Sequence, residues 1–324
     1  MKISPFWLGA TGVLLAGLAF VGFADNEFYF LAIYMVMQAM IMGTAWNILG
    51  GFTGYVNFGS AGFFAMGAYI AVALDKAFGL PLIFLVMGSA VVCGLIGLAA
   101  GYLTLRLRGV YFAIATLAMA IVLETLVVHW EYVGGAAGAY LIPPEEIPIF
   151  DNYIEYMFVL MLVLTIGSVA VSRYINISRF GRGLAAIRDD EVAAECAGVP
   201  TLKLKLVSTT TMGAMMGVAG APFPFFIAFV DPISAFNLLV AVNAIAMPLI
   251  GGKNSWVGPV IGALLLGTTQ QIVTVTISSE LNILVVGVML VMFVALAPEG
   301  IVGLYEKAMA KRKASKKTIS EGAS

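Results

Sequence analysis

Apolar runs of about twenty residues, each bounded by a short polar break, recur from one end of the chain to the other. A helix of that length crosses a hydrocarbon core of about 30 Å, so each run reads as one membrane span. Ten are expected, over 5–24, 28–48, 60–74, 81–103, 110–130, 154–172, 206–230, 235–250, 257–277 and 281–297. The third run is short and the eighth modest, and a re-entrant or broken element there lowers the number to eight or nine. The fold class this predicts is all-α, a polytopic bundle of eight to ten transmembrane helices.

Composition removes the aqueous alternative. Hydrophobic residues make up 61% of the 324 and charged residues 11%, against roughly 25% charged in a soluble domain. The first run follows Lys2 and ends near a loosely matching small-residue cleavage site, Gly22-Phe23-Ala24. It is longer than the roughly 7–15 apolar residues of a secretory signal, so we read it as a retained span. Cys93 falls inside a run and Cys196 in a polar segment, so no bridge between them is expected.

The net charge of −1 matters less than its distribution. Threaded from a cytoplasmic N-terminus, the ten runs put Lys2, Arg106, Arg108, Arg173, Arg179, Arg182, Arg188, Lys203, Lys205, Lys253, Lys307, Lys311, Arg312, Lys313, Lys316 and Lys317 inside, leaving Lys76 outside. Asp25, Glu27, Asp75, Glu131, Glu145, Glu146, Asp151, Glu155, Asp231 and Glu280 fall outside. That sorting matches the positive-inside bias, and both termini are expected in the cytoplasm. Removing one span would scramble it, whereas removing a pair would not.

Residues 1–306 then form the membrane domain, and 307–324 a basic, disordered cytoplasmic tail near anionic headgroups. Two polar segments are long enough to carry function. The external one, 131–154, is acidic and rich in Gly and Pro, and reads as a solvated connector or a docking surface. The internal one, 173–205, holds Gly181-Arg182-Gly183, an Ala- and Glu-rich run over 184–197, and the stop signal Gly198-Val199-Pro200. A single short cytoplasmic helix over 184–197 is expected there.

No catalytic chemistry is visible: there is one His, no HExxH, no Cys-x-x-Cys, no nucleophile constellation and no GxxxxGK[ST]. We expect no cofactor, no metal and no ATP hydrolysis by this chain itself. Glycine pairs at Gly50/Gly54, Gly97/Gly101, Gly213/Gly217 and Gly258/Gly262 have the spacing that lets membrane helices approach closely. The stretch 50–60 is different, because four glycines are interleaved with Thr53, Tyr55, Asn57 and Ser60. It permits an unwound or re-entrant backbone lining a solute path, or a plain helix-to-helix turn. Glu124 lies within the fifth run and is expected to face the bundle, either as part of a proton relay with His129 or as a satisfied polar pair. Thr53, Asn57, Ser60 and Glu124 are thus the candidate path residues.

The stretch 50–73 resembles the opening signature of the branched-chain amino acid permeases of ATP-binding cassette importers, the LivM subfamily, of type II importer architecture. Residues 181–205 look like that family's degenerate coupling motif, and 249–263 like its Gly-Gly…Trp-Gly-Pro…Gly-Ala segment. Two positions depart from it: Ser60 stands where relatives often carry His or Gln, and Lys253-Asn254 replaces a more glycine-rich link.

The resemblance implies a permease subunit in a bacterial inner membrane that works by alternating access. It implies four kinds of partner: a second homologous permease forming a heterodimer, two cytoplasmic ATPase subunits, a periplasmic solute-binding protein and membrane lipid, with no nucleic acid. It also implies that Gly183, Leu184, Ile187, Asp189, Asp190, Glu191, Ala194, Glu195 and Gly198 form a coupling element seated in an ATPase cleft. Relatives handle leucine, isoleucine and valine, but also urea and short amides. The competing reading is a secondary transporter driven by an ion gradient, with Glu124 its best support.

Overall fold

The structure is a computed structural model that describes residues 5–23, 26–141, 152–276, 279–297 and 299–309. It is an all-α bundle. In chain order the helices are α1 Pro5–Phe23, α2 Glu27–Thr53, α3 Ser60–Phe78, α4 Leu82–Thr104, α5 Val110–Val128, α6 Tyr153–Ile177, α7 Arg179–Asp189, α8 Glu191–Cys196, α9 Thr201–Gly220, α10 Phe223–Ile227, α11 Pro232–Ala235, α12 Leu238–Gly251, α13 Gly258–Thr276 and α14 Ser279–Leu296. A further helical stretch covers 300–309.

Among the described residues, nine helical spans are long and apolar enough to cross a membrane. The tenth expected segment is present as α14, whose apolar part Ile283–Phe293 is shorter. The chain is therefore a multi-pass membrane protein. Large apolar side chains such as Val91, Leu95, Ile114 and Leu126 lie exposed along α4 and α5, an arrangement that suits hydrocarbon and not water.

Several boundaries differ from the sequence reading, each for a local reason. α2 runs on through Gly50 and Gly51 to Thr53, where Gly54, at φ +80°, closes it by donating to the Gly50 carbonyl (3.2 Å). The seventh expected span starts at Thr201, taking Lys203 and Lys205 into the helix, and its regular part stops at Gly220. Pro222 and Pro224 follow; they fix φ and remove donors, so the chain continues as the one-turn α10 and then a strand. Of the segment expected outside, 131–154, residues 131–141 and 152–154 are described, and β1 Ala139–Tyr140 within it pairs with β2 Phe229–Val230, antiparallel. Lys76 donates to the Tyr132 carbonyl there (3.2 Å). Residues 142–151 and the tail from 310 onward lie outside the described residues; 307–309 continue the last helical stretch.

α2 is the central post, buried from Val36 to Thr53. It packs on α6 in parallel with a seven-residue register. Phe30 and Phe158 meet ring to ring at 5.3 Å, and seven residues further along both helices Thr165 Oγ1 donates to the Met37 carbonyl (3.4 Å). On its other side α9 is clamped between α3 and α4 through small residues. A Cβ on Gly97 would stand 2.8 Å from the Thr209 carbonyl, and one on Gly213 2.7 Å from the Cys93 carbonyl. The expected Gly97/Gly101 and Gly213/Gly217 seams are thus real close approaches. Gly50/Gly54 is not an interhelical seam but the end of α2, where Gly50 lies against Trp46 of its own helix.

Candidate functional site

The polar segment 173–205 builds itself from local rules. Ser178 caps α7, its hydroxyl accepting from the Gly181 N–H (3.2 Å), and Leu184 and Ile187, three apart, turn into the core. The expected single helix over 184–197 is two helices. Asp190 adopts φ −160°, ψ 111°, and its Oδ1 accepts from the N–H groups of Val192 (2.9 Å) and Ala193 (3.0 Å), which ends α7 and caps α8. A short acidic side chain competes for backbone donors in this way, and the Ala/Glu propensity of the run did not outweigh it. Gly198, at φ +83°, terminates α8, its N–H donating to the Glu195 carbonyl (2.9 Å).

The other coupling candidates take distinct positions. Gly183 lies inside α7 and does not bound it; a Cβ there would meet Leu204 at 2.6 Å. Asp189 is exposed and pairs with Arg188 (3.4 Å), Ala194 is buried, and Glu195 accepts from Thr201 Oγ1 (2.7 Å).

In the stretch 50–60 only Gly54–Gly59 leave the helix. The break is held on several sides: Trp46 Nε1 donates to the Asn57 carbonyl (2.8 Å), Thr116 Oγ1 accepts from the Phe58 N–H (3.2 Å), and Asn57 Oδ1 accepts from the Gly59 N–H (2.7 Å). Thr53, Asn57 and Ser60 are all buried. Thr53 Oγ1 donates to the Leu49 carbonyl (2.6 Å), and Asn57 Nδ2 reaches Met212 Sδ (3.7 Å). Ser60 Oγ has no hydrogen-bond partner among the described residues. Glu124 is not brought to this place. It sits eight residues beyond Thr116 on α5, about 12 Å along the axis. It is half-buried, with no ion pair or hydrogen bond among the described residues. His129 Nδ1 contacts the Thr125 carbonyl (2.8 Å) and not Glu124.

Glu191 joins these two segments. Its carboxylate accepts from Tyr55 OH (2.5 Å) in the break and from Lys205 Nζ (2.6 Å) on α9, with Arg108 of the α4–α5 link at 3.6 Å. Lys205 Nζ also donates to Tyr55 OH (3.1 Å) and to the Leu105 carbonyl (3.4 Å). Burial opposes ionisation of Glu191. The hydrogen bonds from Lys205 and Tyr55 and the charges of Lys205 and Arg108 outweigh it and hold the carboxyl below its ordinary value. Burial first, then the Glu191 carboxylate, pushes the Tyr55 phenol well above its ordinary range. Beside them opens a groove of about 580 Å³ lined by Thr53, Gly54, Tyr55, Arg108, Ile187 and Glu191.

A third segment meets the same end of the bundle. Arg188 donates to Asn254 Oδ1 (2.9 Å), Asn176 Nδ2 to the Asn254 carbonyl (3.4 Å), and Asn47 Nδ2 to the Ser255 carbonyl (3.2 Å). The guanidinium of Arg173 lies over Phe6 (4.5 Å) and Trp256 (5.8 Å). Stretches 50–60, 173–205 and 249–263 therefore converge, though as many as 200 residues separate them. Among the described residues there is no cluster of His, Cys, Asp and Glu that would hold a metal ion.

Sequence reasoning did not single out Tyr55, Arg108 or Lys205. A signal for Lys205 existed: Lys203 and Lys205 are two apart, so on a helix they diverge by about 200° and cannot share one solvated face. Lys203 is exposed and Lys205 is buried.

The family model described as "Branched-chain amino acid transport system / permease component" matches residues 28–294, which include all three converging stretches. The chain belongs to this permease family. Among its relatives is the high-affinity branched-chain amino acid transport system permease protein LivM of Salmonella typhimurium, 26% identical over 82% of this chain and 68% of that protein. LivM of Escherichia coli K12 is 27% identical over the same shares. The probable branched-chain amino acid transport permease protein LivH of Methanocaldococcus jannaschii is 26% identical over 78% of this chain and 84% of its own. No solved structure matches. In this permease component, a polar junction around Glu191 lies where α2 ends, α8 docks and α9 begins.

Proposed function

We propose that this permease component is the translocation subunit of an ATP-binding cassette importer for branched-chain amino acids in a bacterial inner membrane. It works by alternating access and carries no ATPase site of its own. Its basic end faces the cytoplasm, which agrees with the distribution of Lys and Arg among the links. There α7 and α8, with Gly183, Leu184, Ile187, Asp189, Asp190, Glu191, Ala194, Glu195 and Gly198, engage a separate ATPase subunit. A second homologous permease, two ATPase subunits and a periplasmic solute-binding protein complete the transporter. The names of LivM and LivH relatives support both the solute class and the pairing of two permeases.

One observation carries the reading: Glu191 on α8 is bonded at once to the α2–α3 break through Tyr55 and to a membrane helix through Lys205. A segment moved from outside the bundle would displace the central post of the core, as a two-state rearrangement of packed helices requires. Thr53, Asn57 and Ser60 cluster where that movement arrives, so they remain the candidate path residues, and Glu124 lies apart from them.

The test is reconstitution. Proteoliposomes holding the chain with its partner permease and ATPase subunits, given a loaded binding protein, should import labelled leucine only with ATP inside. The chain alone, under an imposed sodium or proton gradient, should import none. Gradient-driven uptake by the chain alone would replace this reading with that of an ion-coupled transporter. ATP-dependent import of urea or acetamide but not leucine would overturn the solute class alone.

A further inference from the structure

Lys205 lies on a membrane-spanning helix, yet its side chain is 4% exposed. The three acceptors it reaches belong to three segments: Glu191 on α8 (2.6 Å), Tyr55 in the α2–α3 break (3.1 Å) and the Leu105 carbonyl at the end of α4 (3.4 Å). The ammonium also stands 4.6 Å from the Tyr55 ring centroid. An ammonium has three donors, and here each has an acceptor. Glu191 supplies the only negative charge among them, and its own side chain is 12% exposed. A lysine that merely marked the membrane border would sit as Lys203 does, in the open.

α8 needs such a hold. It is six residues long and buries only Ala194, so apolar contact gives it almost no grip on the bundle. Apart from its chain connections, its attachments are polar: Glu195 to Thr201, and Glu191 to Tyr55, Lys205 and Arg108. Of these four partners, Lys205 is among the most buried, and it alone carries a charge inside the bundle.

We propose that Lys205 is a positioning residue for energy coupling: through Glu191 it ties α8 to α9 and to the α2–α3 break, so that movement of α8 reaches both together. This rests on the reading of 173–205 as the segment that meets the ATPase. The link differs from a simple structural pair in one respect. If both charges are removed, no uncompensated charge is left buried, so stability recovers in part even though the Leu105 carbonyl loses its donor, but the mechanical tie does not.

The experiment uses the complete transporter in proteoliposomes and reads leucine imported per ATP hydrolysed, alongside the thermal midpoint of the complex. Lys205→Met and Glu191→Gln should each lower both. The double variant Lys205→Met/Glu191→Gln should regain midpoint relative to Lys205→Met, yet keep its import per ATP at least fivefold below wild type. Lys205→Arg, which keeps the charge and the reach, should recover most of the ratio. A double variant that imports at the wild-type ratio, or Lys205→Arg as uncoupled as Lys205→Met, overturns the proposal.

Cross-linking separates this from the reading beneath it. Exposed Cys196 at the end of α8 should cross-link to an ATPase subunit in the wild-type complex. No cross-link there removes the coupling reading itself. A cross-link together with a normally coupled double variant removes the role of Lys205 alone.

Discussion

Whether a glycine is required or merely tolerated depends on what a methyl group would meet. On Gly262 a Cβ would lie 1.9 Å from the Met247 carbonyl, so α12 and α13 could not keep their distance. Gly262→Ala should cost about 1–3 kcal/mol and lower the thermal midpoint in detergent; an unchanged midpoint would show that the α12–α13 contact is looser than described. Gly167, inside α6, has nothing within 4 Å of such an atom. Gly167→Ala should therefore stabilise by about 1 kcal/mol, the helix-propensity gain.

Titration supplies another residue-scale expectation. Glu191 faces Lys205 of α9, Tyr55 of the break and Arg108 of the α4–α5 link, and its folded pKa is depressed. A depressed carboxylate stabilises above its unfolded pKa, about 4.3, and loses that contribution as pH falls through the folded value. The difference in midpoint between wild type and Glu191→Gln should therefore be constant at neutral pH and shrink below about pH 4. A gap equally wide at pH 7 and pH 3 contradicts the assigned ion pair.

At the scale of elements, the spans were legible because the length of each apolar run matches that of a helix crossing a hydrocarbon core, and α3, α4, α6 and α13 lie within a few residues of expectation. Two kinds of feature were not. The break at Asp190 depends on one side chain finding two N–H groups, a choice that Ala- and Glu-rich composition hides. The continuation of α2 past Gly50-Gly51 depends on the loop it packs against: a Cβ on Gly51 would stand 2.4 Å from the Lys253 carbonyl, a neighbour two hundred residues away. Removing the cap should expose the difference. Asp190→Ala should cost about 1 kcal/mol and raise amide hydrogen exchange across α8 while leaving α7 protected; uniform protection across both helices would mean that the two are one cooperative unit. Gly198→Pro removes the N–H bonded to Glu195 and demands a φ near −65° where the chain has +83°. It should abolish uptake while membrane insertion stays intact.

For the whole molecule, the class of protein could be read from hydropathy and charge, but the site could not be assembled from them. Three motifs announced themselves separately. That they share one end of the bundle, with Glu191 joining the first two through Tyr55 and Lys205 and Arg188 joining the second and third through Asn254, follows from tertiary packing that no local pattern encodes. For α8 to meet an ATPase subunit, this end must face the cytoplasm. The natural chain carries its own reporter, since Cys196 is exposed on the converging segment and Cys93 is buried in α4. The deciding measurement is labelling by a membrane-impermeant maleimide of membranes containing the chain without its ATPase partners. Labelling of Cys196 in inside-out vesicles and not in intact right-side-out cells is the predicted result; labelling from the outside alone would contradict the orientation and the coupling role with it.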